Sequence, residues 1–214
     1  YQTMSANTTG ASNTALGRQA LSANTTGSNN VAVGYNALDA NTTASGNTAV
    51  GYDALSSDTQ GAKSVAIGYG TLQSQNLTSP VDIYNTAIGY AAGNAMTTGG
   101  TNTLIGGLAG DAITTGSSNI AIGFQALSAN IIGGSNVAVG NSALALTTNN
   151  SNTAVGASSL ANTANAGNNT AVGQASGLSN TTGENGVFIG RQAGYSNTTG
   201  GSNVAVGRDA LYSN

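Results

Sequence analysis

A run of large, small, large apolar positions closed by glycine recurs along the whole chain. The glycine falls at Gly17, Gly34, Gly51, Gly68, Gly89, Gly106, Gly123, Gly140, Gly156, Gly173, Gly190 and Gly207. Nine of the eleven intervals are 17 residues, one is 21 and one is 16, so one unit is written twelve times. A fixed short period of this kind predicts a solenoid in which each unit is one coil.

The residue before the glycine is aliphatic in all twelve units, among them Val33, Val50, Ile67, Ile88, Ile122, Val139, Val155, Val172 and Val206. Two places earlier it is β-branched in all twelve, and Ala stands between the two in ten, with Leu104 and Phe188 as exceptions. Such alternation predicts a short strand, with the large side chains expected in the core. Four residues after the glycine comes Leu in eight units, including Leu38, Leu55 and Leu127, and Gly in the other four. The Ala–Leu pair at that point predicts a second, shorter strand facing the first across a thin core. Polar stretches such as Ser22–Asn30 supply the turns between them. The expectation is an all-β chain, a parallel β-roll or β-solenoid of about twelve coils.

Asn precedes the first strand in ten of twelve units: Asn13, Asn30, Asn47, Asn85, Asn102, Asn119, Asn136, Asn152, Asn169 and Asn203. Coils stacked at strand spacing, about 4.8 Å, would let each amide donate and accept along the stack, which predicts an Asn ladder. The other reading of this column is that Asn tolerates left-handed turn geometry. The Ala column also reads two ways. It is either a close-packed contact with another sheet or chain, or a solvent-facing position, and the first predicts self-association.

Charge enters mainly by its scarcity. Four basic residues stand against seven acidic ones, for a net charge of −3, with no basic cluster to hold nucleic acid or an anionic membrane. No apolar run of about 20 residues is present to span a bilayer. Cysteine and histidine are absent, which removes disulfides, thiolate ligands and the most common general base. No two adjacent coils carry acids in the same column, so neither catalysis nor a metal or other cofactor is expected. The 214 residues are expected to be one array, excerpted from a longer fibre.

Three features are candidate surfaces. Thr pairs such as Thr25/Thr26 and Thr42/Thr43 sit in the turns, either as an ice-binding array or as turn chemistry. Aromatic residues follow the glycine at Tyr35, Tyr52, Tyr69, Tyr90 and Phe124, and read either as a stripe that contacts sugars or a partner or, the reading preferred, as cover for the rim of the core. The long interval adds four residues near 76–84, and Pro80, Asp82 and Tyr84 there are candidate contact residues.

The segments "SNVAVGRDAL" at Ser202–Leu211, "SVAIG" at Ser64–Gly68 and "NTAVGYDAL" at Asn47–Leu55 resemble two groups of fibrous proteins. One is the head-repeat region of trimeric autotransporter adhesins, whose coils are shorter. The other is the repeat arrays of tail-fibre-like proteins that end in an intramolecular chaperone domain, and it matches along essentially the whole chain. The resemblance implies a left-handed, homotrimeric stalk or fibre on a cell surface or virion. The function it points to is a structural fibre or adhesin shaft. The alternative is a binding module for glycans, a cell surface or ice, acting through the turn columns.

Overall fold

In the computed structural model, which describes residues 2–213, twelve three-residue strands from Thr14–Leu16 to Val204–Val206 form one parallel sheet. Each pairs with its counterparts in the coils before and after, column on column: Thr48 opposes Val65, Ala49 opposes Ala66 and Val50 opposes Ile67. Neither irregular interval shifts this register, since Val65 still opposes Thr86 and Val137 opposes Thr153. The chain is an all-β solenoid, eleven turns separating its twelve rungs. At about 4.8 Å per rung the sheet is roughly 53 Å long. No helix among the described residues is long and apolar enough to cross a membrane.

The motif glycine is required twice over. Gly51 sits at φ +142°, where an L side chain is strained, and a Cβ on it would strike the backbone of Gly68 in the next coil. The chain then turns. The Ala–Leu pair, expected as a second strand, lies instead in a turn of alternating hand: Asn36 and Leu38 both have φ +52°. The alternation points successive N–H groups to opposite neighbours. Asn36 donates to Arg18 in the coil before, and Leu38 to Ala54 in the coil after, each at 3.1 Å. Sequence patterning missed this because Leu in left-handed geometry is unfavourable by about 1–2 kcal/mol. The inter-coil bonds and the full burial of Leu38, Leu55 and Leu127 offset that cost.

The strand also faces the other way. Its central Ala is fully buried in coil after coil, as at Ala32, Ala49, Ala66 and Ala138, packed in one cluster with the Leu column. The flanking aliphatics, expected in the core, point outward. Val33, Val50 and Val139 are half-buried, while Ile67, Ile88, Ile122, Val155, Val172 and Val206 are exposed by 36–65%. The reason is the thinness of the coil, whose apolar section one Ala and one Leu fill. The Ala column is therefore an internal contact and does not meet another chain.

Where the Leu column lapses to Gly, the Ala column compensates. Leu104 lies between Gly93 and Gly110, and a Cβ at Gly110 would come within 2.9 Å of Leu104 Cδ2. Phe188 does the same between Gly177 and Gly194, its ring filling the space above both. Both large side chains are fully buried.

Candidate functional site

From Asn30 to Asn169 the Asn before the strand is buried and bonded along the axis, and Asn13 and Asn203 in the end coils are half-buried. Asn13 Oδ1 accepts from the backbone N–H of Asn30 at 2.9 Å, Asn30 Oδ1 from Asn47, and Asn47 Oδ1 from Ser64. The same link runs from Asn85 through Asn102, Asn119, Asn136 and Asn152 to Asn169, at 2.9–3.0 Å. Each Nδ2 meanwhile donates to a turn carbonyl, as Asn30 does to Ala44. Asn203, in the last coil, donates instead to Asn197 Oδ1 and Gly200 O. These bonds satisfy buried backbone donors, and each contributes about 1 kcal/mol net. Their role is structural.

A second buried amide column went unread in the sequence. Seven residues past the motif glycine, Asn24, Asn41, Asn130, Asn180 and Asn197 lie fully inside. Asn41 Nδ2 donates to Asn24 Oδ1 at 2.9 Å, and Asn24 Nδ2 to Asn7 Oδ1 at 2.7 Å. The signal was the recurrence of Asn at that offset, which is also what ordinary turn chemistry produces. The Thr pairs follow this column. The first hydroxyl of each is spent on the next coil, Thr25 to Thr42 O and Thr97 to Thr114 O at 3.1 Å.

The insertion breaks this regularity. Asp58 replaces the column Asn and is fully buried, its Oδ1 accepting from Gly61 N at 2.9 Å and Leu77 N at 3.2 Å. Leu77 and Ile83 tuck inward and anchor the ends of the excursion. Between them Val81–Asp82 pairs in parallel with Gly61–Ala62 as a small two-stranded sheet. That pairing carries Pro80, Val81, Asp82 and Tyr84 to the surface.

The three contact residues foreseen in this segment divide between two features. Pro80 and Asp82, with Thr43, Ser45, Gln60 and Val81, line an open depression of about 560 Å³. Tyr84 stands with Lys63 on its flank. Lys63 Nζ lies 2.6 Å from Asp82 Oδ2 and donates to the Tyr84 hydroxyl at 3.2 Å, and that hydroxyl donates to Asp82 Oδ2 at 3.1 Å. Hydrogen bonding to Lys63 holds the Asp82 carboxyl below the usual carboxylate range. The bond to Asp82, then that to Tyr84, pushes the Lys63 ammonium up. The depression thus offers hydroxyls, an amide and an oriented carboxylate beside an apolar Pro–Val wall. That mixture suits a hydroxyl-rich ligand.

The aromatic residues do not cover the core rim. Tyr35, Tyr52, Tyr69 and Tyr90 stack on one another with centroids 5.0, 5.1 and 5.5 Å apart and planes within 13°. They stand out from the rod: Tyr69 is 54% exposed and Tyr90 61%. Arg18 closes one end of the stack, 5.2 Å from the Tyr35 centroid. No group of three or more acids that could hold a metal ion occurs among the described residues. No known family, no curated protein and no solved structure matches the chain.

Proposed function

We propose that the chain is a structural shaft, a non-enzymatic segment of an extracellular, cell-surface or virion fibre, left-handed and homotrimeric as the resemblance implies. The observation that carries this reading is the outward face of the sheet. The outer positions of its twelve strands hold only Val, Ile, Leu and Thr, and no charge interrupts them. Apolar area left open along a regular rod favours association, and another copy with the same rung spacing matches it over its length. The subunit contact in this proposal is therefore the outer face, not the Ala column. Light scattering behind size exclusion tests it: about three times 20.7 kDa is expected. A monomer at working concentrations would sink it.

A second reading rests on the depression beside the insertion, which would make the segment a binding module for glycans on a cell surface. Replacing Gln60 and Asp82 by Ala separates the two. Retention on immobilised glycans is lost if the depression binds them, and a pure shaft is unaffected.

A further inference from the structure

The aromatic stack has a vacant rung. Its column runs Arg18, Tyr35, Tyr52, Tyr69, Tyr90, Gly107, Phe124 over successive coils, so Gly107 interrupts a row of rings. Glycine is not demanded there. Gly107 is absent from the left-handed positions that the motif glycines occupy. A Cβ on it would meet nothing nearer than Phe124 Cδ2 at 3.5 Å, an ordinary contact. Backbone and space would both accept a side chain, and what the glycine provides is a gap.

The gap has the dimensions of a ring. Tyr90 and Phe124 are two rungs apart, roughly 9.6 Å at strand spacing. A planar guest midway would lie about 5 Å from each, the separation at which Tyr35 and Tyr52 stack. The walls are available: Tyr90 is 61% exposed, against 45% for Tyr52, which has a ring on both sides, and Phe124 is 51% exposed. Beside Gly107 the neighbouring columns carry Ile105 and Leu108, which offer carbon alone. A sugar ring placed there would leave its hydroxyls short of partners, whereas an aromatic ring needs few.

We infer that the Gly107 gap between Tyr90 and Phe124 is an intercalation site for one aromatic ring, of the size of a phenyl or indole group. The site is independent of the shaft reading, and its first wall, Tyr90, stands in the coil after the insertion.

Indole titrated into the intact chain, followed by saturation-transfer NMR, tests it. Saturation of the protein is expected to reach the indole protons, with a dissociation constant on the order of 1 mM for so small a ligand. Gly107→Tyr fills the rung and is expected to weaken binding at least tenfold while the melting curve holds. Phe124→Leu keeps the bulk of that wall and removes its ring, so it gives an independent loss should the Tyr variant fold poorly. Indole affinity unchanged in both variants overturns the proposal. So does preferential uptake of methyl β-glucoside over indole.

Discussion

The coils around Phe188 and those around Leu127 are the same structure filled in two ways. Near Leu127 each rung presents Ala from the strand and Leu from the turn, as Ala121/Leu127 and Ala138/Leu144 do. Near Phe188 the turn gives up both leucines, to Gly177 and Gly194, and one ring from the strand takes their place. The conserved quantity is the filled section, not the residue in any one column. The ring reaches further still. A Cβ at Gly186 would lie 2.7 Å from Phe188 Cε2, so the gap in the Asn ladder at Gly186 belongs to the same exchange. The gap at Ser64 is covered likewise by a longer neighbour: Gln75 Nε2 reaches Ser64 Oγ at 3.3 Å, and Gln75 Oε1 accepts from Asn85 Nδ2 at 2.9 Å.

The largest effect should come from breaking this exchange. Phe188→Ala removes the one side chain serving two coils, where the turns hold Gly177 and Gly194 in place of Leu. A loss of about 3–5 kcal/mol in unfolding free energy is expected by denaturant titration. Adding Gly177→Leu and Gly194→Leu to that variant rebuilds the Leu-filled section and should recover part of it. Less the strain of two left-handed leucines, it should return to within about 2–4 kcal/mol of the parent. Gly194→Leu alone forces a left-handed Leu against the ring and is expected to cost about 2–5 kcal/mol, strain and overpacking together. If Phe188→Ala melts like the parent, the two fillings are not equivalent and the comparison fails.

Much of the fold was legible because the period is strict. The strand positions, the stacking and the Asn ladder follow from columns that any stacked coil must align. The direction of the strand was not legible. In a three-residue strand, a pattern of large, small, large is the same whether the large pair faces in or out. Only the width of the coil decides, and that width depends on a turn whose left-handed leucines patterning does not foresee. The exceptions carried the missing information, since Leu104 and Phe188 are each flanked by the glycines that make room for them. Of the candidate site, the four-residue surplus marked the place, and Pro80 and Asp82 do share one depression. The pairing of Val81–Asp82 with Gly61–Ala62, which shapes it, has no signature of its own in the sequence.

Val139 sharpens the contrast between the inside and outside of one strand. In the core, an Asp there would be ruinous. On the outer face, half-buried beside its counterparts, Val139→Asp is expected to cost the rod only about 1 kcal/mol, the strand preference lost. Its large effect should fall on association, lowering the mass seen by light scattering. A rod that unfolds outright would return Val139 to the core.

Asp58 is the case where the exchange is incomplete. Where neighbouring coils both carry Asn in this column, the amide donates to the oxygen of the coil before, as Asn41 does to Asn24 and Asn197 to Asn180. A carboxylate at position 58 has no N–H to offer Asn41, and Asn41 Oδ1 is left buried without a partner. On its other side Asp58 is served, by Gln75 Nε2 and by the N–H groups of Gly61 and Leu77. Asp58→Asn supplies the missing donor but keeps only one oxygen, so with the N–H groups of Gly61 and Leu77 still served, Gln75 Nε2 loses its carboxylate acceptor. One orphaned buried acceptor is exchanged for one orphaned buried donor, so the net change expected is under about 1 kcal/mol. Calorimetry of the single variant reads this directly. A lower melting temperature would mean that the charge on Asp58 holds the insertion more tightly than the broken ladder loosens it.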